Sequence, residues 1–95
     1  MNSESSDTFY LRLKEQLKAT SNWPADYLYK FIVPTEGEKV KEVSSVFEKS
    51  KADIALRASK TGKYTSISIK ARMINAEHVI EKYKEVGKIK GVISL

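Results

Sequence analysis

The only histidine, His78, stands beside Glu77, with Glu81 one helical turn further on. An imidazole and two carboxylates are the raw material of a weak metal site. Helix-borne ligands, however, usually sit at i and i+4 on one face, with further donors supplied from elsewhere. The chain has no cysteine and no second histidine, so both a closed ligand set and a nucleophile–imidazole pair lack parts. His78 reads as a solvated first-turn residue. No catalytic residue, metal or cofactor is assigned, and the chain reads as a non-enzyme.

Two glycines stand where phosphate or carboxylate chemistry would be sought. Gly62 lies between Lys60 and Lys63. A phosphate loop needs several glycines, or a helix start with the lysine at fixed spacing, so Gly62 is read as relaxing a hairpin turn. In Pro34-Thr35-Glu36-Gly37-Glu38, Thr35 and Glu38 match a capping box, each satisfying the other's backbone donor. The same helix-start N–H groups would suit a carboxylate. Pro34, Thr35 and Gly37 are thus a candidate small-ligand site, set against a cap that already occupies those donors.

Lys30, Arg57, Lys70 and Arg72, interleaved with Ser59, Ser66 and Ser68, form a candidate basic sheet face. RNA-recognition domains stack bases on aromatics of their central strands. Lys63-Tyr64-Thr65-Ser66-Ile67 lacks aromatics at the required spacing, which ranks nucleic acid below other partners.

These residues need elements to hold them. Residues 1–6 are short, polar and expected to be unstructured. Asp7 suits a helix N-cap, and Phe9, Tyr10, Leu13 and Leu17 then recur at helical spacing up to about Ala19. Trp23-Pro24 prevents continuation. Tyr27–Val33, rich in aromatic and β-branched residues and bounded by prolines, is a strand. The next helix carries Val40, Val43, Val46 and Phe47 on one side. Ile54, Leu56 and Ala58 alternate with Asp53, Ala55, Arg57 and Ser59. After the turn, Ile67, Ile69, Ala71 and Met73 alternate with Ser66, Ser68, Lys70 and Arg72. The pair is a β-hairpin with one dry and one wetter face. Asn75 starts a last helix with the stripe Ala76, Val79, Ile80, Tyr83 and Val86. Gly87 suits the left-handed residue past its end, and Lys88–Leu95 is expected to be a final strand.

The order α, β, α, β, β, α, β predicts an α+β fold: a ferredoxin-like βαββαβ sandwich with antiparallel sheet order 4-1-3-2 and an extra amino-terminal helix. The organisation expected is an unstructured 1–6, a helix and linker over 7–24, and the sandwich over 25–95. The first strand is apolar on both faces, Leu28 and Ile32 lying opposite Tyr27, Tyr29, Phe31 and Val33. A cover is therefore expected over Leu28 and Ile32: the first helix through Phe9, Leu13 and Leu17, with Trp23 as part of the lid, or a second copy of the chain.

With 95 residues, 41% of them hydrophobic, the chain holds one core. Its net charge of +5 raises nucleic acid, phosphorylated ligands and acidic partners without choosing among them, and the interspersed acidic and basic residues read as solvated helix faces. It contains no run of ~18 apolar residues and no leader pattern. A cytoplasmic protein without membrane contact is expected.

The stretch Ser59-Lys60-Thr61-Gly62-Lys63-Tyr64-Thr65-Ser66-Ile67-Ser68-Ile69 resembles the hairpin signature of the YbeD-like family of small bacterial proteins, domain-of-unknown-function family 493. Tyr83-Lys84-Glu85-Val86-Gly87-Lys88-Ile89 and Tyr29-Lys30-Phe31 resemble its last helix end and first strand. The resemblance covers approximately Tyr27 to Leu95 and implies a ferredoxin-like, ACT-like fold with no established activity. The chain departs from that pattern by an extra Thr61 in the turn, by a last strand lacking a basic residue often found there, and by its first helix. The functional expectation is a regulatory or interaction module. It would form homodimers or bind another protein, and would sense a small-molecule ligand in the ACT manner. The alternatives are a weak RNA-binding protein and a structural adaptor.

Overall fold

The computed structural model describes residues 6–94. Its elements are α1 (Ser6–Thr20), β1 (Ala25–Pro34), α2 (Lys39–Val46), a short 3-10 turn (Glu48–Ser50), β2 (Asp53–Ala58), β3 (Tyr64–Met73), α3 (Ala76–Gly87) and β4 (Ile93–Ser94). The four strands make one antiparallel sheet in the order β2-β3-β1-β4, which counted from the β4 edge reads 4-1-3-2.

Strand alternation places Tyr29, Phe31 and Val33 of β1, with Ile67, Ile69, Ala71 and Met73 of β3, on one face. There they meet Val43 and Phe47 from the α2 side and Val79 and Val86 of α3 in the buried core. An aromatic knot lies at its centre. Tyr29 stacks on Phe31 at 5.8 Å and approaches Phe47 at 4.9 Å and Tyr83 at 4.8 Å between ring centroids. The Tyr29 hydroxyl donates to the Val79 carbonyl at 3.0 Å. Burial pushes the phenols of Tyr29 and Tyr83 above the ordinary tyrosine value of 10.0, so neither releases a proton near neutrality.

Asn75 caps α3 as its residue type suggests: its Oδ1 accepts the His78 backbone N–H at 2.8 Å. His78 completes the cap in reverse, its Nδ1 accepting the Ile74 N–H at 3.1 Å. Asn75→Ala is expected to lower the unfolding free energy by about 1 kcal/mol, measurable by urea denaturation.

Several expectations are corrected. The unstructured stretch assigned to residues 1–6 lies outside the described residues except for Ser6, which is helical, so Asp7 falls inside α1 rather than ahead of it. The Thr35–Glu38 capping box does not form. Thr35 belongs to the end of the sheet, its N–H donating to the Lys63 carbonyl and its hydroxyl pairing with that of Thr65. Glu38 occupies the N-cap position of α2 without a side-chain cap. Gly87 ends α3 as a helical residue, leaving room for the Tyr10 hydroxyl 3.4 Å from where a Cβ would sit, and the left-handed glycine is Gly91 (φ +86°). The chain turns there, so among the described residues the final strand begins only at Ile93 and covers Ile93–Ser94, Leu95 lying outside them. The hairpin has no dry face along β2, which is exposed throughout. The helices cover the central strands, so Ile54 and Leu56, although opposite Ile69 and Ile67, lie at the uncovered margin.

The largest correction concerns α1. It packs against α3: Lys18 meets Glu77 at 2.8 Å, and Tyr10 meets Tyr83 at 6.5 Å between ring centroids. Leu17 and Trp23 pack onto the core cluster, Leu13 is half-buried, and Phe9 remains exposed. The helix thus joins the helical layer and leaves the other sheet face bare, with Leu28 62% exposed and Ile32 half-buried. The stripe Tyr10–Leu13–Leu17 found an apolar partner in the exposed flank of α3, a surface that alternation along β1 does not reveal.

The Lys18–Glu77 contact holds the Glu77 carboxyl below the ordinary 4.5, chiefly through the hydrogen bond from Lys18, and raises Lys18 above 10.5. A lowered carboxyl contributes stability present above its unfolded value and lost as pH falls through its folded value. A raised ammonium contributes below its unfolded value and loses that contribution as pH rises through the folded one. The pin therefore operates between the two ranges. Hydrogen exchange of α1 amides is expected to be faster in Glu77→Gln than in the parent near neutrality, with the difference vanishing as pH drops below the carboxylate range.

Candidate functional site

The open face is assembled by register. From one edge towards the other, Asp53, Lys70 and Leu28 lie in one row, Ala55, Ser68 and Lys30 in the next, then Arg57, Ser66, Ile32 and Ile93. Directly opposed residues of neighbouring strands have Cβ atoms roughly 5 Å apart, so Lys30 and Lys70 occupy adjoining rows beside the apolar pair Leu28 and Ile32. Arg72 lies at the margin, 3.7 Å from Asp26 across the β1–β3 pair. No ion pair among the described residues holds Lys30, Arg57 or Lys70. The sequence-predicted basic residues are thus brought onto one surface, and three of them stand in no ion pair among the described residues, although Asp53 lies opposite Lys70 in the register.

Towards the hairpin the face dips into a recess of about 310 Å³ lined by Ile32, Arg57, Ala58, Ser59, Lys60, Tyr64 and Ser66. Tyr64, 49% exposed, was missed by sequence reasoning. Its even-numbered phase with Ser66 and Ser68 was the signal that would have placed it here. Pairing opposite Pro34 puts it at the end of the face rather than on a central platform, and a single ring cannot stack successive bases. Ile93 was missed as well, because Gly91 interrupts the alternation that would give its phase.

The loop Pro34, Thr35 and Gly37 lies apart from that surface's centre. A recess of about 430 Å³ is lined by Pro34, Glu36, Thr61, Gly62 and Lys63. Gly37 and Gly62 adopt φ +83° and +75° with nothing near the position of an added Cβ, so backbone conformation, not close approach, explains both glycines. Of the predicted ligand residues only Pro34 lines this recess beside Lys63, while the Thr35 N–H donates to the Lys63 carbonyl and its hydroxyl pairs with that of Thr65.

His78 is engaged in the α3 cap. Among the described residues no group of three or more His, Asp or Glu side chains stands where it could hold a metal, and no helix is long and apolar enough to cross a membrane.

Fold and surface together define a two-layer α+β domain whose sheet is covered by helices on one face and open on the other. Residues 18–95 match the family model of the protein of unknown function DUF493. The chain belongs to that family. Among curated proteins none matches it.

Proposed function

We propose that the chain is a non-enzymatic interaction module of the cytoplasm that takes up an acidic, partly apolar segment of another protein on its open sheet face. The observation that carries this reading is the juxtaposition of the unpaired cations Lys30, Lys70 and Arg57 with exposed Leu28 and half-buried Ile32. Apart from the Arg72–Asp26 pair, a face carrying three cations against the single carboxylate of Asp53 favours an anionic ligand and fast association, and bare aliphatic groups supply the surface that burial makes favourable. The likeness of the hairpin to the YbeD-like pattern, and of βαββαβ order to ferredoxin-like and ACT-like regulatory domains, supports a regulatory role for that contact.

The test is site-specific photo-crosslinking in the native cell. A photoreactive side chain at Ser68, on the open face, is expected to give a defined protein adduct, whereas the same group at Lys41, on the helical side, gives none. Equal adducts at both positions, no adduct at either, or a nucleic-acid adduct at Ser68 would overturn the reading.

A second reading, sensing of a small acid in the ACT manner at Pro34, Thr35 and Gly37, is supported by the recess that Pro34 lines beside Lys63. It requires an upward shift in the thermal midpoint on adding amino acids or small anions. An unchanged midpoint across the panel removes it.

A further inference from the structure

β2 is the exposed edge of the sheet: it pairs only with β3 and is accessible along its whole length. Such an edge is a template for another strand. The backbone phase of its free side follows from the hairpin. The Ser59 N–H donates to the Tyr64 carbonyl at 2.8 Å, so Ser59 and the residues two and four before it turn their backbone groups towards β3. In an antiparallel ladder bonded and non-bonded positions alternate, so Ile54 and Leu56 turn theirs outward.

The sequence of this edge, Asp53-Ile54-Ala55-Leu56-Arg57, is complementary to itself when reversed. We infer that a second copy of the chain pairs with it, β2 against β2 and antiparallel, about a two-fold axis through Ala55. In that register Ile54 of one copy and Leu56 of the other exchange both backbone hydrogen bonds, in the phase their free groups already have. On the helical side, Ile54 and Leu56, 39% and 55% exposed, meet their counterparts and cover each other. On the open side, Asp53 stands opposite the partner copy's Arg57, and Arg57 opposite its Asp53. These are non-hydrogen-bonded pairs, in which opposed side chains come closest and unlike charges add stability. Moving the axis by one residue opposes Ala55 to Asp53 or Arg57 and forfeits both charge pairs. A shift that sets outward groups against inward ones cannot bond at all. The contact is isologous, as closed dimers require. It joins the two open faces into one eight-stranded surface and draws Arg57 into an ion pair, leaving Lys30 and Lys70 as the cations of each face.

The experiment is light scattering on the full chain at about 100 μM, where weak association is detectable. The parent is expected at twice its 10.8 kDa. Arg57→Asp sets two aspartates against each other, and Asp53→Arg two arginines. Each variant alone is expected at the single-chain mass, with circular dichroism showing an intact fold, and an equimolar mixture is expected to return to the double mass. Ala55→Lys, placing two ammonium groups on the axis at an exposed position, is expected to be monomeric as well. The inference is overturned by a parent at 10.8 kDa, by an Ala55→Lys variant that stays dimeric, or by a mixture of folded charge variants that stays at the single-chain mass.

Discussion

Replacing Tyr29 with alanine is expected to lower the unfolding free energy by about 3–5 kcal/mol, as large aromatic-to-alanine changes in cores do. Tyr29 is fully buried, and its ring lies within 6 Å of those of Tyr27, Phe31, Phe47 and Tyr83. Those neighbours belong to β1, the α2 end and α3, so none can collapse into the vacated volume without moving an element. Against a total stability of roughly 5–15 kcal/mol for a small domain, that loss approaches global unfolding. The hydroxyl contributes the smaller share. Tyr29→Phe keeps the ring contacts and removes the 3.0 Å bond to Val79, and is expected to cost only about 0.5–1.5 kcal/mol. Urea denaturation of both variants checks the ratio. Equal losses would mean that the hydroxyl, not ring packing, holds β1 to α3.

The second large effect concerns binding. Lys30→Glu combined with Lys70→Gln changes the charge at these two positions from +2 to −1 on one face, since each lysine carries one charge. Both side chains are exposed and neither is in an ion pair among the described residues. The fold should therefore be little affected, because surface changes of this kind usually fall within about 0.5 kcal/mol. The Ser68 photo-adduct, by contrast, is expected to fall at least ~10-fold, because reversing charge on a steering surface slows encounter and weakens the complex. An undiminished adduct with an unchanged melting midpoint would show that these cations take no part in docking.

How far the sequence spoke for the structure depended on the length of each pattern. β1, β3 and α3 were legible because their patterns run unbroken over most of each element, and the core residues of β3 came out in phase. α3 could be started at Asn75 because a side-chain oxygen there has one obvious use. The misreadings fell where two local uses compete for one residue. Thr35 fits a capping box as written, yet a partner thirty residues away, Thr65, took its hydroxyl. Gly91, not Gly87, turned the chain, because α3 can run on until the glycine itself. Leu28 looked like half of a buried layer, and only the packing of α1 on α3 showed it uncovered. Of the candidate site, Lys30, Arg57, Lys70 and Arg72 were placed on one surface by alternation alone. Tyr64 and Ile93 needed the strand register, which is a tertiary fact.

The absence of cysteine makes the openness of that surface directly measurable, since any thiol introduced reports only its own position. Leu28→Cys, on the bare face, is expected to react with a neutral thiol reagent at nearly the rate of a free thiol. Ala71→Cys, on the covered face of the same sheet, reacts only through opening of the fold and so at least ~100-fold more slowly. If the thiol at position 28 is shielded as strongly as the one at position 71 in the isolated protein, the sheet has no open face and the docking surface described above does not exist.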